Sequence, residues 1–151
     1  MTSTSRLIGN YFVKPTKMAK KRAWELCDGK IREFQKLKRL CVKLRWWPES
    51  VGRHGDERGE YGADLDWDWI KGLGDLRVGE LRIDEPINSH ENIRVIFFKS
   101  DIVRSGDPLP IIWLLHVFPK KRQGFTRHEL DIFRAKRALI VSREYQGSPN
   151  A

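Results

Sequence analysis

The chain has 151 residues, 40% of them hydrophobic and 32% charged, and its formal net charge is +9 at pH 7. This length and composition predict a single globular domain, residues 1–151, that buries a core of its own. No apolar run approaches the roughly 18 residues that a membrane span needs, and the positive charge favours nucleic acid over an anionic membrane surface as the partner.

The N-terminal part, residues 1–48, is predicted to be mainly helical. Residues 7–13 favour a short first strand, interrupted by Gly9-Asn10. In residues 16–44 apolar side chains recur at every third or fourth position, the spacing of a helix that buries one face. Asp28-Gly29 interrupts this pattern, so the segment is either two helices or one kinked helix.

The two cysteines, Cys27 and Cys41, both fall within the helical pattern. We interpret them as reduced core residues of a cytoplasmic protein rather than as a disulfide or a metal pair. The first residues lack the apolar core of a secretory signal, which agrees with a cytoplasmic location. There is no Cys/His zinc spacing and no Gly-rich phosphate loop, so we expect neither a metal nor a cofactor.

Charge is distributed unevenly along this first half. Between Lys14 and Arg45 there are 12 basic and 3 acidic residues, and between Glu49 and Asp68 there are 2 basic and 7 acidic residues. The basic helices either follow a nucleic-acid backbone or present a solvated face. Residues 49–72 are predicted to form an acidic loop that contains a short Trp- and Asp-rich strand or helical turn. That stretch covers a basic site, contacts a partner, or fills the edge of the core.

The next segment, residues 73–147, is predicted to hold a sheet core and a C-terminal helix. Residues 76–83 change the parity of their apolar positions at Gly79, which favours a strand with a bulge there. Residues 93–98 and 111–118 are dense in β-branched and aromatic side chains and are separated by a turn at 105–108, so they are expected to pair antiparallel. The fold class is therefore α+β, a small twisted antiparallel sheet with helices on one face and an open face for a ligand.

A basic loop follows the last of these strands. Lys120, Lys121 and Arg122 are consecutive, and cations at the end of a rigid strand are well placed to bind phosphate. Thr126 and Glu129 have the spacing of a capping box, which predicts a helix from there to about Tyr145.

Four stretches in order resemble the RelE/HigB toxins of bacterial toxin–antitoxin pairs, and the phage-type HigB branch most. They are Gly79-Glu80-Leu81-Arg82-Ile83, Ile93-Arg94-Val95-Ile96-Phe97-Phe98, His116-Val117-Phe118-Pro119-Lys120-Lys121-Arg122-Gln123, and Arg127-His128-Glu129-Leu130. The resemblance spans residues 73–145. It implies a RelE-like fold with an N-terminal helical pair on the sheet, and a toxin that cleaves messenger RNA on the ribosome and is held inactive by a helix-turn-helix antitoxin.

RNA can be cut without metal when its own 2′-OH attacks the adjacent phosphate, provided that protons are moved and the extra charge on phosphorus is stabilised. A lysine crowded by other cations has a lowered pKa and can transfer a proton. The resemblance places Arg94 at a phosphate-binding arginine, and Lys120 and Lys121 at lysines near the scissile bond. We assign Arg94 and Arg122 to charge stabilisation and Lys120 or Lys121 to proton transfer.

The remaining candidates have structural alternatives. His116 either takes part in proton transfer or is a hydrogen-bonded core residue. Arg82 and Arg127 are predicted to bind RNA, although Arg82 could instead form a structural ion pair. Two other functions stay open: a non-catalytic nucleic-acid-binding protein, and a gyrase-poisoning toxin of the ParE-like kind with the same fold.

Overall fold

The basic N-terminal segment folds as a short strand followed by a helical hairpin. The computed structural model of the protein describes residues 9–47, 66–100 and 109–145. Within the first range, strand β1 is Phe12–Pro15, helix α1 is Lys17–Leu26, helix α2 is Ile31–Val42, and a 3₁₀ turn at Lys43–Trp46 follows. The predicted first strand is therefore displaced towards the helices, and its residues 7 and 8 lie outside the described ranges.

Both ends of the first helix follow from local chemistry. The hydroxyl of Thr16 accepts a hydrogen bond from the backbone N–H of Ala19 at 3.1 Å and so caps the helix start. Asp28 and Gly29 have φ values of 52° and 70°, a left-handed turn that stops α1. The prediction of a break at Asp28-Gly29 is confirmed, and it yields two helices.

The remaining strands are β2 at Asp66–Trp69, β3 at Val78–Ile83, β4 at Ile93–Lys99 and β5 at Ile111–Pro119. Within the described ranges, five strands form one mixed sheet in the order β1-β5-β4-β3-β2. Neighbours among β2 to β5 are antiparallel, as predicted for β4 and β5, but β1 pairs parallel with β5. The prediction of a wholly antiparallel sheet is wrong at this edge, because β1 joins a strand near the other end of the chain and no local turn sets its direction.

The Trp- and Asp-rich stretch is the edge strand β2, so one strand of the sheet lies inside the segment predicted to be an acidic loop. Trp67 is 7% exposed, and its ring centre lies 4.2 Å from that of Trp47. This agrees with the interpretation that the tryptophans fill the edge of the core. Residues 49–65 of the predicted loop and the predicted turn at 105–108 lie outside the described ranges.

The sheet has no bulge at Gly79. The register between β3 and β4 runs without interruption from Val78 opposite Phe98 to Ile83 opposite Ile93. The irregularity lies instead between β4 and β5, where the register shifts between Ile96 and Phe97. The change of parity that suggested a bulge arises because β3 is buried on both faces: Val78 packs in the cluster under α3, whereas Leu81 and Ile83 pack in the cluster under the helical hairpin. Leu76 belongs to a 3₁₀ turn, Gly74–Leu76, ahead of the strand.

Helices cover both faces of the sheet, although unequally. On the first face the helical hairpin packs on Leu81, Val95 and Leu114. On the second face helix α3, Arg127–Tyr145, packs Phe133 and Ile140 against the cluster that contains Val78, Ile96 and Leu115. The expectation of helices on one face alone is therefore wrong, because α3 folds back over one end of the second face. Among the described helices, none has the length and hydrophobicity of a membrane span.

Candidate functional site

The end of the second face that borders the α3 start forms a cleft of about 630 Å³. Alternation along the strands places Glu80 and Arg82 of β3 and Arg94 of β4 on this face, opposite the buried Leu81 and Val95. Seven charged residues line the cleft: Asp68, Lys71, Glu80, Arg82, Arg94, Lys120 and Arg122. Five of these are cations, so the cleft is suited to an anionic ligand.

Glu80 is the centre of this charge cluster, and the residue-by-residue reading of the sequence gave it no role. It is 7% exposed. Its carboxylate oxygens lie 3.1 Å from Arg94 Nε, 3.9 Å from Lys120 Nζ and 3.9 Å from an Arg82 guanidinium nitrogen. The sequence does contain an indication of this position. Glu80 precedes Arg82 by two residues in a predicted strand, which places the acid on the same strand face as the predicted RNA-binding arginine.

Lys120 is held at the floor of the cleft by contacts on several sides. Its side chain is 11% exposed, its backbone N–H donates to the carbonyl of Asn92 at 2.9 Å, and its Nζ lies 4.2 Å from the centre of the Phe125 ring. Burial lowers the pKa of this lysine from its ordinary value, and Arg94 and Arg82 lower it further, whereas Glu80 opposes them. The direction agrees with the pKa predicted for a crowded lysine, but the main cause is burial, and the cations that contribute are Arg94 and Arg82 rather than the adjacent Lys121 and Arg122.

Arg122 lines the mouth of the cleft and is tied to the start of α3. Its guanidinium lies 2.7 Å from Glu129 Oε1, and the side chain is 57% exposed. The predicted capping box is confirmed, because the Thr126 N–H donates to Glu129 Oε1 at 2.8 Å and the Glu129 N–H donates to Thr126 Oγ1 at 3.1 Å. The C-terminal end of the basic loop is thus anchored to the first turn of α3.

Arg82 reaches the cleft but is already paired. Its guanidinium donates to Asp66 Oδ1 of the edge strand at 2.8 Å, and the two residues are register partners between β2 and β3. The structural ion pair that the sequence left open is therefore present. Arg82 still lines the cleft, so it can contribute a second contact to a bound anion.

Three predicted site residues lie outside the lining of this cleft. Lys121 and Arg127 are exposed, on the loop and on the first turn of α3 respectively. His116 lies further along β5, where α3 covers it. The structure therefore brings together Arg82, Arg94, Lys120 and Arg122. Lys121 lines a smaller cavity with Lys120 and Arg122, whereas Arg127 and His116 line neither cavity.

The surroundings of His116 are those of a core residue. Its ring centre lies 5.2 Å from that of Phe118 and 5.9 Å from that of Phe133, and its Nδ1 lies 3.0 Å from Lys136 Nζ. Since an ammonium group can only donate, Nδ1 is the acceptor and the imidazole is neutral. Burial, followed by the nearby charges of Lys136 and Arg22, lowers the pKa of His116 to about 4.

No protein-family model matches the chain, and no match was found among curated proteins or among solved structures. The function is therefore inferred from the geometry and charge of the cleft. Within residues 9–47, 66–100 and 109–145, no group of three or more His, Cys, Asp and Glu side chains is placed to hold a metal ion. Cys27 and Cys41 are free and buried, and burial raises the pKa of the Cys41 thiol to about 12.

Proposed function

We propose that the protein is the toxin of a toxin–antitoxin pair and a metal-independent endoribonuclease that cuts messenger RNA on the ribosome. The observation that carries this proposal is the convergence of Arg94, from strand β4, with Lys120 and Arg122, from the basic loop, on one cleft. The same residues stand in the stretches that resemble RelE/HigB toxins. Geometry and sequence resemblance therefore point to the same chemistry.

The cleft holds the groups that phosphoryl transfer within RNA requires. Arg94 and Arg122 stabilise the charge that accumulates on the phosphoryl oxygens when the ribose 2′-OH attacks phosphorus. Lys120, whose pKa is lowered, transfers a proton. Arg82 supplies a further contact to the RNA backbone beside its ion pair with Asp66.

The ribosome completes the proposed site by positioning the message. A cleft with few fixed contacts cuts free RNA slowly, whereas a ribosome that holds the codon in place supplies orientation. The proposal includes a helix-turn-helix antitoxin as the inhibitory partner and the cytoplasm as the place of action. It involves no metal and no cofactor, since the RNA supplies its own nucleophile.

RNA binding without cleavage is the second candidate. It is favoured by two ion pairs, Glu80 with Arg94 and Asp66 with Arg82. These pairs partly neutralise the arginines and fix their side chains, which would also suit a surface that only binds RNA. The two candidates differ in one product, because only the enzyme leaves new RNA ends. No contact in the described part of the chain favours the gyrase-poisoning alternative.

The decisive experiment is to express the protein from a tightly controlled promoter and map RNA ends on cellular messages. We expect arrest of translation and new ends within coding regions, with a 2′,3′-cyclic phosphate on the upstream fragment. The double variant Lys120→Ala/Lys121→Ala should abolish both effects. Intact transcripts in growth-arrested cells would refute the ribonuclease and leave the binding candidate.

A further inference from the structure

Glu80 combines two properties that rarely occur together. It is 7% exposed, yet its carboxylate opens into the cleft. Its Oε1 lies 3.1 Å from Arg94 Nε, but neither atom has a hydrogen-bond partner within the described part of the chain. Buried carboxylate oxygens are nearly always satisfied by donors. Oε1 itself is shielded from solvent, so a donor that a ligand brings into the cleft meets the part of the Glu80 side chain that is still exposed. The ionised carboxylate can accept a proton there.

We propose that Glu80 is the general base of RNA cleavage and that Lys120 is the general acid. This assignment rests on the proposed function and deepens it. The Glu80 carboxylate accepts the proton of the ribose 2′-OH while the 2′-oxygen forms a bond to phosphorus. The bond from phosphorus to the 5′-oxygen breaks, and that oxygen receives a proton from the Lys120 ammonium. The products are a 2′,3′-cyclic phosphate and a 5′-hydroxyl.

The protonation states of Glu80 and Lys120 fit the roles of base and acid. An ionised carboxylate can only accept and an ammonium group can only donate. The 3.9 Å between Glu80 Oε1 and Lys120 Nζ lets the proton gained by Glu80 return to Lys120 after the products leave. Each turnover then consumes no net proton, and no water or metal enters the balance.

The electrostatic setting of Glu80 comes from every element packed around it. Arg82 faces it from its own strand, Arg94 from β4 and Lys120 from the loop after β5, whereas Asp68 lies opposite it in the register of β2. Three cations and one acid therefore surround the carboxylate. Burial and the two arginines lower the pKa of Lys120, which makes its ammonium a readier proton donor.

The test compares Glu80→Gln and Lys120→Ala in single-turnover cleavage of a synthetic message on purified ribosomes. Each variant is expected to lose about 100-fold or more in rate, the usual contribution of a positioned acid or base. A second message carries sulfur in place of the 5′-bridging oxygen at the mapped cleavage site. Because a thiolate departs without a proton, this message should restore cleavage by Lys120→Ala but not by Glu80→Gln.

Asp66→Asn is the matched control, since it removes a negative charge from the same cation network but does not line the cleft. We expect it to change the rate far less than Glu80→Gln does.

The outcomes separate this inference from the proposed function. If the wild type cleaves and Glu80→Gln cleaves within about fivefold of it, the base is another group. If the wild type cleaves no message, the ribonuclease itself is refuted. Should thermal unfolding show that Glu80→Gln does not fold, Glu80→Asp decides: a base displaced by one methylene loses at least about 10-fold, whereas a carboxylate that merely neutralises charge keeps near-normal activity.

Discussion

The Nζ atom of Lys120 lies 4.2 Å from the centre of the Phe125 ring, across the loop that joins β5 to α3. This contact folds the loop over one lysine and leaves its neighbour in solvent. Lys120 is 11% exposed and lies within 4 Å of Glu80, whereas Lys121 is exposed and lies outside the cleft lining. Two adjacent residues of the same type therefore have different surroundings.

Single substitutions should separate the two lysines. We expect Lys120→Ala to reduce the rate of message cleavage by about 100-fold, because it removes the proton-transferring group. Lys121→Ala should weaken binding only, with a loss of a few-fold that grows with salt, as for one exposed phosphate contact. The measurement is single-turnover cleavage on ribosomes at several salt concentrations. Equal losses in the two variants would contradict the placement of Lys120 alone in the cleft.

Gly79→Ala should destabilise the fold. A β-carbon at this position would lie 2.5 Å from Cζ of Phe97 and 2.9 Å from the carbonyl oxygen of Asp68, so the central strands would have to move. Such overpacking typically costs about 1–3 kcal/mol, which a drop in Tm or in the denaturant midpoint would show. Gly74→Ala is the control, since its nearest contact would be an ordinary 3.4 Å to Trp69 Cβ. Equal Tm values for the two variants would refute this close approach.

The capping box should make the stability of the protein depend on pH. Partial burial by itself raises the pKa of Glu129, but hydrogen bonds from Thr126 and the charge of Arg122 outweigh it and leave the pKa below its ordinary 4.5. A carboxylate with a lowered pKa stabilises the fold above its unfolded pKa, and that contribution is lost as the pH falls through the folded pKa. The free-energy difference between the wild type and Glu129→Gln should therefore be present at neutral pH and shrink below pH 4.5.

The cap itself can be tested at Thr126. Thr126→Ala removes the side-chain acceptor for the Glu129 N–H and should cost about 1 kcal/mol in the free energy of unfolding, measured by denaturant titration. Thr126→Ser keeps the hydroxyl and should stay near the wild type. A loss as large in the serine variant would mean that the methyl group, rather than the cap, stabilises this turn.

His116 should affect acid stability rather than chemistry. Its pKa is about 4 in the folded chain against an ordinary 6.5, so the unfolded chain takes up a proton first as the pH falls. The stability of the wild type should therefore decline from pH 6.5 towards about 4, and His116→Gln should flatten this decline. A ring titration followed by NMR should have its midpoint near 4. A midpoint close to 6.5 would show that the imidazole is solvated.

Local features were predictable wherever neighbouring residues decide the structure. The break at Asp28-Gly29 and the cap formed by Thr126 and Glu129 both depend on contacts within a few positions. The pairing of β4 with β5 followed from two dense apolar runs joined by a short connection. Arg94 was placed correctly on the face of Ile96 and Phe98 because strands alternate.

Long-range features were not predictable in the same way. The parallel pairing of β1 with β5, and the seating of α3 on the second face, join segments that no local turn connects. Gly79 suggested a bulge, but a glycine is needed at this position because the Phe97 ring on the neighbouring strand leaves no room for a β-carbon. The position of Glu80 among the cations was not predictable for the same reason, since it contacts Arg94 and Lys120 only when three separate segments of the chain pack together.

The amino-acid sequence by itself determined the helical hairpin, the hydrophobic strands, the basic loop and the excess of positive charge, since each depends on composition or on spacing within a few residues. The tertiary structure alone decided which cations share a cleft. It placed Lys120 beside Glu80 and left Lys121 in solvent. The reason is physical: proton transfer and charge stabilisation depend on distances of a few ångströms, and only the packing of distant segments fixes such distances.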